Sequence, residues 1–115
     1  MILKGHDNVQ ETVAENSHGG TGKYAVRTLL EEEFDSSLAY VRELILGPHA
    51  SIGVHVHQDD EEIYYIASGR GVMIVDEEKR QVKPGDVVLT KSGSSHGLLN
   101  ESDEDLKIFV ACAKL

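Results

Sequence analysis

The stretch HVHQDDEEIYYIASG, residues 55–69, decides how the rest of the chain is read. His55 and His57 stand one residue apart, four carboxylates follow at 59–62, and an apolar IYYI run leads into Ser68-Gly69. Side chains two apart on a strand point to the same face, so His55 and His57 project together, with Gly53 before them. A turn at 58–61 then reverses the chain, and Glu62 opens a second strand. On that strand Glu62, Tyr64 and Ile66 share one face, while Ile63 and Tyr65 share the other. Spacing alone leaves open which acid of the four faces inward. Glu62 is favoured because it abuts the apolar run, where an inward carboxylate is costly unless a cation meets it.

Further along, His96 stands between Ser92–Ser95 and the apolar pair Leu98-Leu99, with no local partner. His55, His57 and His96 with Glu62 offer three imidazoles and one carboxylate, a donor set for manganese, iron, cobalt, nickel or zinc. One or two coordination positions would stay open for water or substrate. The plainer alternative has His55 and His57 as half-exposed strand residues and His96 as a hydrogen-bonded loop residue. His6, His18 and His49 lack same-face ligand spacing and read as ordinary histidines, although His18 sits in a glycine-rich arm and His49 precedes the His55 strand.

Outside this stretch the chain of 115 residues is sized for one domain. Acidic residues outnumber basic ones 20 to 11, and no basic stripe exists to neutralise phosphates, which argues against nucleic acid or an anionic membrane as partner. No apolar run approaches the roughly 18 residues of a membrane span, and the first ten residues lack a secretory pattern. A cytoplasmic address is the expectation. The single cysteine, Cys112, excludes an internal disulfide and reads as a small buried hydrophobe.

Residues 1–23 are polar and weakly patterned. Val9 and Val13, four apart, suggest one helical turn, and NSHGGTGK (16–23) then breaks regular structure. This segment is expected to be an arm, loose or packed on a partner subunit, ahead of a barrel domain at 24–115. From Tyr24 onward, short runs of branched and aromatic residues alternate with turn signals. Strands are expected at 24–30, 38–46, 52–57, 62–66, 72–75, 80–83, 86–90, 96–99 and 106–113, with a short helical turn in EEEFDSS (31–37). Short strands at this spacing, without crossover helices, indicate an all-β sandwich or barrel. Tyr64 is the first candidate for a catalytic proton-transfer residue, since it shares the inward face with Glu62. Arg27 and Arg42 can each bind a substrate carboxylate through a guanidinium fork, but an outward salt bridge is the expectation for both.

The two histidine-bearing segments together resemble the paired motifs of the cupin family. The first reads His55, one residue, His57, four residues, Glu62, six residues, Gly69; the second reads Gly85, five residues, Lys91, one residue, Gly93, two residues, His96, three residues, Asn100. The motifs span Gly47 to Asn100 with 15 residues between them. Two departures stand out: His49 replaces an early glycine, and Lys91 replaces a proline that would fix φ in the loop before His96. The resemblance implies a double-stranded β-helix, or jelly-roll barrel, commonly a homodimer whose N-terminal strands can exchange between subunits. It implies His55, His57, Glu62 and His96 as ligands of one divalent transition metal per subunit, manganese first, with iron, zinc, nickel or cobalt as alternatives. GGTGKYAVRTLL (19–30), SIGVHVH (51–57) and the second motif look most like small bacterial cupins related to oxalate decarboxylases.

The expected ligand is a small molecule. The expected function is metal-dependent chemistry on a small oxygenated substrate such as a dicarboxylate or keto acid, with decarboxylase, dioxygenase and isomerase as reaction classes. A non-catalytic binding or sensing module and a storage-like role are the alternatives, because fold does not select a reaction.

Overall fold

A computed structural model describes residues 1–115. The strands are β1 (Gln10–Glu15), β2 (Lys23–Leu30), β3 (Leu38–Leu46), β4 (Ser51–Val56), β5 (Asp60–Ser68), β6 (Gly71–Val75), β7 (Glu78–Val82), β8 (Val87–Thr90), β9 (Ser95–Leu99) and β10 (Leu106–Lys114). They form a six-stranded sheet, β1-β2-β3-β10-β5-β8, facing a four-stranded sheet, β4-β9-β6-β7. All pairings are antiparallel, and the mostly-β jelly roll that the sequence implies is the fold.

Three sequence expectations are corrected. The arm carries a strand: residues 10–15 pair with β2, Val13 opposite Ala25, after a single 3₁₀ turn at His6–Asn8. An edge strand that pairs on one side needs little apolar alternation of its own, so the pattern missed it. Residues 31–37 form bends and no helix, because the Glu33 carboxylate accepts the backbone N–H groups of Glu31 (2.9 Å) and Glu32 (3.1 Å). The strand after His57 begins at Asp60, so the turn there is shorter than the four acids suggest.

The register of the large sheet builds rows of inward side chains. Tyr40, Cys112, Glu62 and Thr90 lie side by side across β3, β10, β5 and β8. Arg42, Val110 and Tyr64 form the next row, and Leu44, Ile108 and Ile66 the third. From the third row inward the barrel is a packed apolar core with Leu46, Leu98, Leu106 and Met73. The first two rows, toward the other end, carry the polar groups. On β5 the alternation is sharp: Glu62, Tyr64 and Ile66 are buried, while Ile63 and Tyr65 are exposed.

On β4 the register shifts between Ile52, opposite Leu98, and His55, opposite His96. The bulge brings residues three apart onto the same inward face. It centres on Gly53, where the loop at 17–20 passes so closely that a Cβ would overlap the His18 carbonyl oxygen. Gly20, on the crossing segment, is equally constrained by the Ser51 carbonyl.

Candidate metal centre

β4 and β9 place His55 directly opposite His96. His57 lies just beyond β4, its backbone N–H donating to Ser94 O (3.0 Å) and its carbonyl accepting from Gly93 N (2.6 Å). Gly93 has φ +89°, the left-handed conformation that glycine adopts without strain. Lys91, in the place of the family proline, is exposed at the start of this turn, with its carbonyl accepting from Ser94 N at 3.0 Å.

Each ring is anchored through its outer nitrogen. His55 Nδ1 meets Gly53 O, His57 Nδ1 meets Asp60 Oδ1 and His96 Nδ1 meets Thr90 Oγ1, all at 2.9 Å. A carbonyl and a carboxylate only accept, so the neutral rings of His55 and His57 carry their proton on Nδ1 and turn a bare Nε2 inward. A hydrogen bond behind the ring in this way fixes a histidine's tautomer and orientation for a metal.

The inner nitrogens converge. Nε2 of His57 and His96 are 2.9 Å apart, and Nε2 of His96 and His55 are 3.2 Å apart. Glu62 Oε1 stands 3.2 Å from His57 Nε2 and 3.3 Å from His96 Nε2. Donors about 2.0–2.2 Å from one ion, at angles of 90–110°, have separations of about this size. His55 Nε2, His57 Nε2 and the carboxylate present only lone pairs, so at most the His96 proton lies among the four donors, and a shared cation relieves the remaining repulsion. The three histidines thus form a candidate metal-binding site.

The electrostatics agree. Burial pushes the Glu62 carboxyl upward, but hydrogen bonds from His96 and Tyr40 and the neighbouring imidazoles outweigh it and hold the group below its usual 4.5. Tyr40 donates its hydroxyl to Glu62 Oε2, leaving Oε1 for the cluster. Burial, reinforced by Glu62, raises both the Tyr40 and Tyr64 phenols, so both stay protonated. Burial foremost, then the neighbouring imidazoles His96, His18 and His57, lowers His55 below 6.5 against its hydrogen bond to Gly53. Cys112, between Tyr40 and Glu62 in the sheet, is raised by burial to about 11 and stays a thiol.

The cluster opens into a cavity of about 280 Å³ between the sheets, walled by Val26, Leu44, Ile52 and Val110 with Tyr24, Tyr40 and Tyr64. Tyr64, the candidate proton-transfer residue, is buried with its ring 4.9 Å from that of His96. Arg27 makes the expected outward pair with Glu43 (3.5 Å) and donates to His6 O at 2.7 Å. Arg42 does not: it turns inward, lines the cavity and lays its guanidinium over the Tyr40 ring at 3.7 Å. Its place in the inward row with Val110 and Tyr64 is the reason.

His18 is also at the site, against the expectation of an ordinary histidine, because the glycine arm folds over β4. His6 and His49 pair instead with exposed Asp7 (3.1 Å) and Asp103 (2.9 Å). Sequence reasoning missed Tyr40, Thr90 and Asp60. The first two need sheet register to be seen. Asp60 was legible, since a strand starting there puts it two residues from Glu62 on the same face.

A β-barrel with histidines converging in its interior defines a class before any comparison. A profile of the cupin domain matches residues 42–112, and the chain belongs to the cupin family. It is 33% identical over 108 residues to an oxalate-binding protein of Thermotoga maritima, covering 93% of this chain and 88% of that one. Among solved structures, a predicted oxalate decarboxylase of Thermotoga maritima superposes with TM-score 0.92 at 30% identity over the full length of both chains. A cupin 2 conserved barrel domain protein of Salinispora arenicola gives 0.74 at 21% identity, covering 99% of this chain and 89% of that one, which supports the fold alone.

Proposed function

We propose that the protein holds one divalent transition metal through His55, His57, Glu62 and His96 and binds a small dicarboxylate or keto acid of the oxalate type beside it. The observation that carries the reading is the convergence of three inward nitrogens, 2.9 and 3.2 Å apart, on a small cavity with a carboxylate at their side. The likeness to an oxalate-binding protein supports the ligand class. Bound there, the ion supplies a Lewis acid able to take two oxygens of a chelating acid. Manganese suits the imidazole–carboxylate mixture, and iron, cobalt, nickel or zinc are alternatives the donor set accepts.

The chain's own residues do the rest. Tyr40 orients Glu62, the apolar wall excludes water, and Tyr64 keeps a phenolic proton beside His96. That proton favours a second reading, a decarboxylase-type reaction in which Tyr64 supplies a proton to carbon as the C–C bond breaks and CO2 leaves. Glu62 is the one carboxylate lining the cavity, and the Tyr40 and Tyr24 hydroxyls are committed to Glu62 and Ser17, so Tyr64 is the acid this reading uses. Binding without turnover is the first reading.

The proposal includes a cytoplasmic homodimer. No helix is long and apolar enough to cross a membrane. The outer face of the large sheet carries Phe109, Tyr65 and Val87 in one exposed row, with Ile63 and Leu89 paired beside it. A second copy covering this face removes it from water. In that dimer the 1–23 arm, which pairs with β2 of its own chain, would also pack on the partner subunit, and the 24–115 barrel forms the domain.

The deciding experiment is anaerobic purification with elemental analysis, then calorimetric titration of the metal-loaded protein with oxalate and a search for formate. Stoichiometric metal and saturable oxalate binding are expected. A protein that takes up no divalent metal would end the proposal.

A further inference from the structure

We infer that Arg42 is the anion-recognition residue of the cavity and selects a dianionic small carboxylate over a monoanionic one. The inference rests on the reading of the histidine cluster as a metal centre for small acids. It names the residue that takes the ligand oxygens turned away from the metal.

Arg42 sits two residues along β3 from Tyr40, a rise of about 7 Å, in the row next to the one that contains Glu62. It makes no hydrogen bond and no ion pair, and its buried Nε has no partner. The Tyr40 ring accounts for the guanidinium's face at 3.7 Å. A cation–π contact of this kind leaves the in-plane N–H donors unspent. Arg27, the buried arginine, is paired with Glu43 at 3.5 Å, whereas the half-buried Arg42 has no carboxylate within ion-pair distance.

The charge count gives the ligand class. Glu62 and Arg42 are the cavity's carboxylate and its guanidinium, and they cancel. Glu62 is already committed to Tyr40 and the histidines. A divalent ion then leaves two positive charges among the lining groups, with the Asp60 carboxylate behind His57 and partly open to water, and a dianion neutralises more of that charge than a monoanion does. A planar fork matches the two outer oxygens of a chelated dicarboxylate. The volume of about 280 Å³ holds only a small acid, below the usual range for ligand pockets.

The test compares oxalate with glyoxylate, which share a two-carbon frame and a chelating oxygen pair but differ in charge. Protein loaded with Mn(II) and freed of excess ion is titrated calorimetrically as wild type, Arg42→Gln and Arg42→Lys. Wild type is expected to prefer oxalate by about 10- to 100-fold, the size of a charge-assisted hydrogen-bond pair. Arg42→Gln is expected to lose that preference, oxalate affinity falling about 10- to 100-fold more than glyoxylate affinity, with Mn content unchanged. Arg42→Lys, which keeps the charge without the fork, is expected to fall between. Retained preference in Arg42→Gln, or equal losses for both ligands, overturns the inference while leaving the metal-centre reading intact. Should Arg42→Gln not fold, wild-type oxalate affinity in Arg42→Lys overturns it. Wild-type protein that holds Mn and binds neither acid overturns the small-acid reading and this inference with it.

Discussion

His18 lies flat against His55, with ring centroids 3.8 Å apart and planes 14° from parallel. The contact joins the N-terminal arm to the metal centre. It depends on a backbone in which His18 itself has φ +53° and Asn16 φ +51°, conformations that cost a non-glycine residue free energy. The arm can come this close because Gly20 and Gly53 have no side chains. Gly53→Ala is therefore expected to push the arm off β4 and cost about 1–3 kcal/mol, as other overpacked sites do. Chemical denaturation reads the loss. Unchanged stability would show that the arm is not seated there.

His18→Ala removes the ring and leaves the backbone. A stacked ring pair contributes about 0.5–1.5 kcal/mol, and here that contribution holds His55 ready. Metal affinity is expected to fall about two- to tenfold with little change in melting temperature. Competition with a chelating dye measures it.

Replacing His55 or His57 by alanine should release most of the metal. Binding to the native state couples to folding, so the metal-dependent rise in melting temperature should vanish with it. Elemental analysis after desalting is the readout, and full occupancy in both variants contradicts the ligand assignment.

Tyr40→Phe tests the support behind Glu62. It removes the hydroxyl that occupies Oε2 and leaves a ring beneath Arg42. Loss of such an outer hydrogen bond costs about 10- to 100-fold in metal affinity in other sites, and the same range is expected here. An affinity equal to wild type would show that Glu62 needs no such anchor.

The sequence made the strands legible because turn residues punctuate them, and nine of the ten strands match the expected runs to within two residues at each end. His55, His57, Glu62 and His96 were legible because a period of two and a pair of ordered motifs carry them. Tyr40 and Thr90 were not, and Arg42 was legible as a carboxylate binder but not as an inward one. Each reaches the site through cross-strand register, and register joins β3 to β5 only through β10, at the far end of the chain. His18 was hidden for another reason. It is placed by left-handed backbone and by two glycines that let segments touch, neither of which leaves a periodic trace.

The pH dependence follows from His55. Its folded-state value lies below 6.5, chiefly through burial, so the unfolded chain binds its proton more readily than the folded one. Stability then rises with pH across that interval and is lost as pH falls below the usual histidine value, with a slope of at most about 1.4 kcal/mol per pH unit for one proton. Partial exposure of the ring reduces this. Glu62 is shifted in the same direction but acts in a lower window: its carboxylate is held below 4.5, so its contribution is full above that value and is lost as pH falls from there through the folded-state value. A melting series on metal-free protein from pH 7 to 5 should therefore show a fall that His55→Ala flattens, while Glu62→Gln leaves it in place. Metal occupancy should fall over the same range, because the imidazoles must be unprotonated to bind. An equally steep fall in His55→Ala would assign the titration to another group.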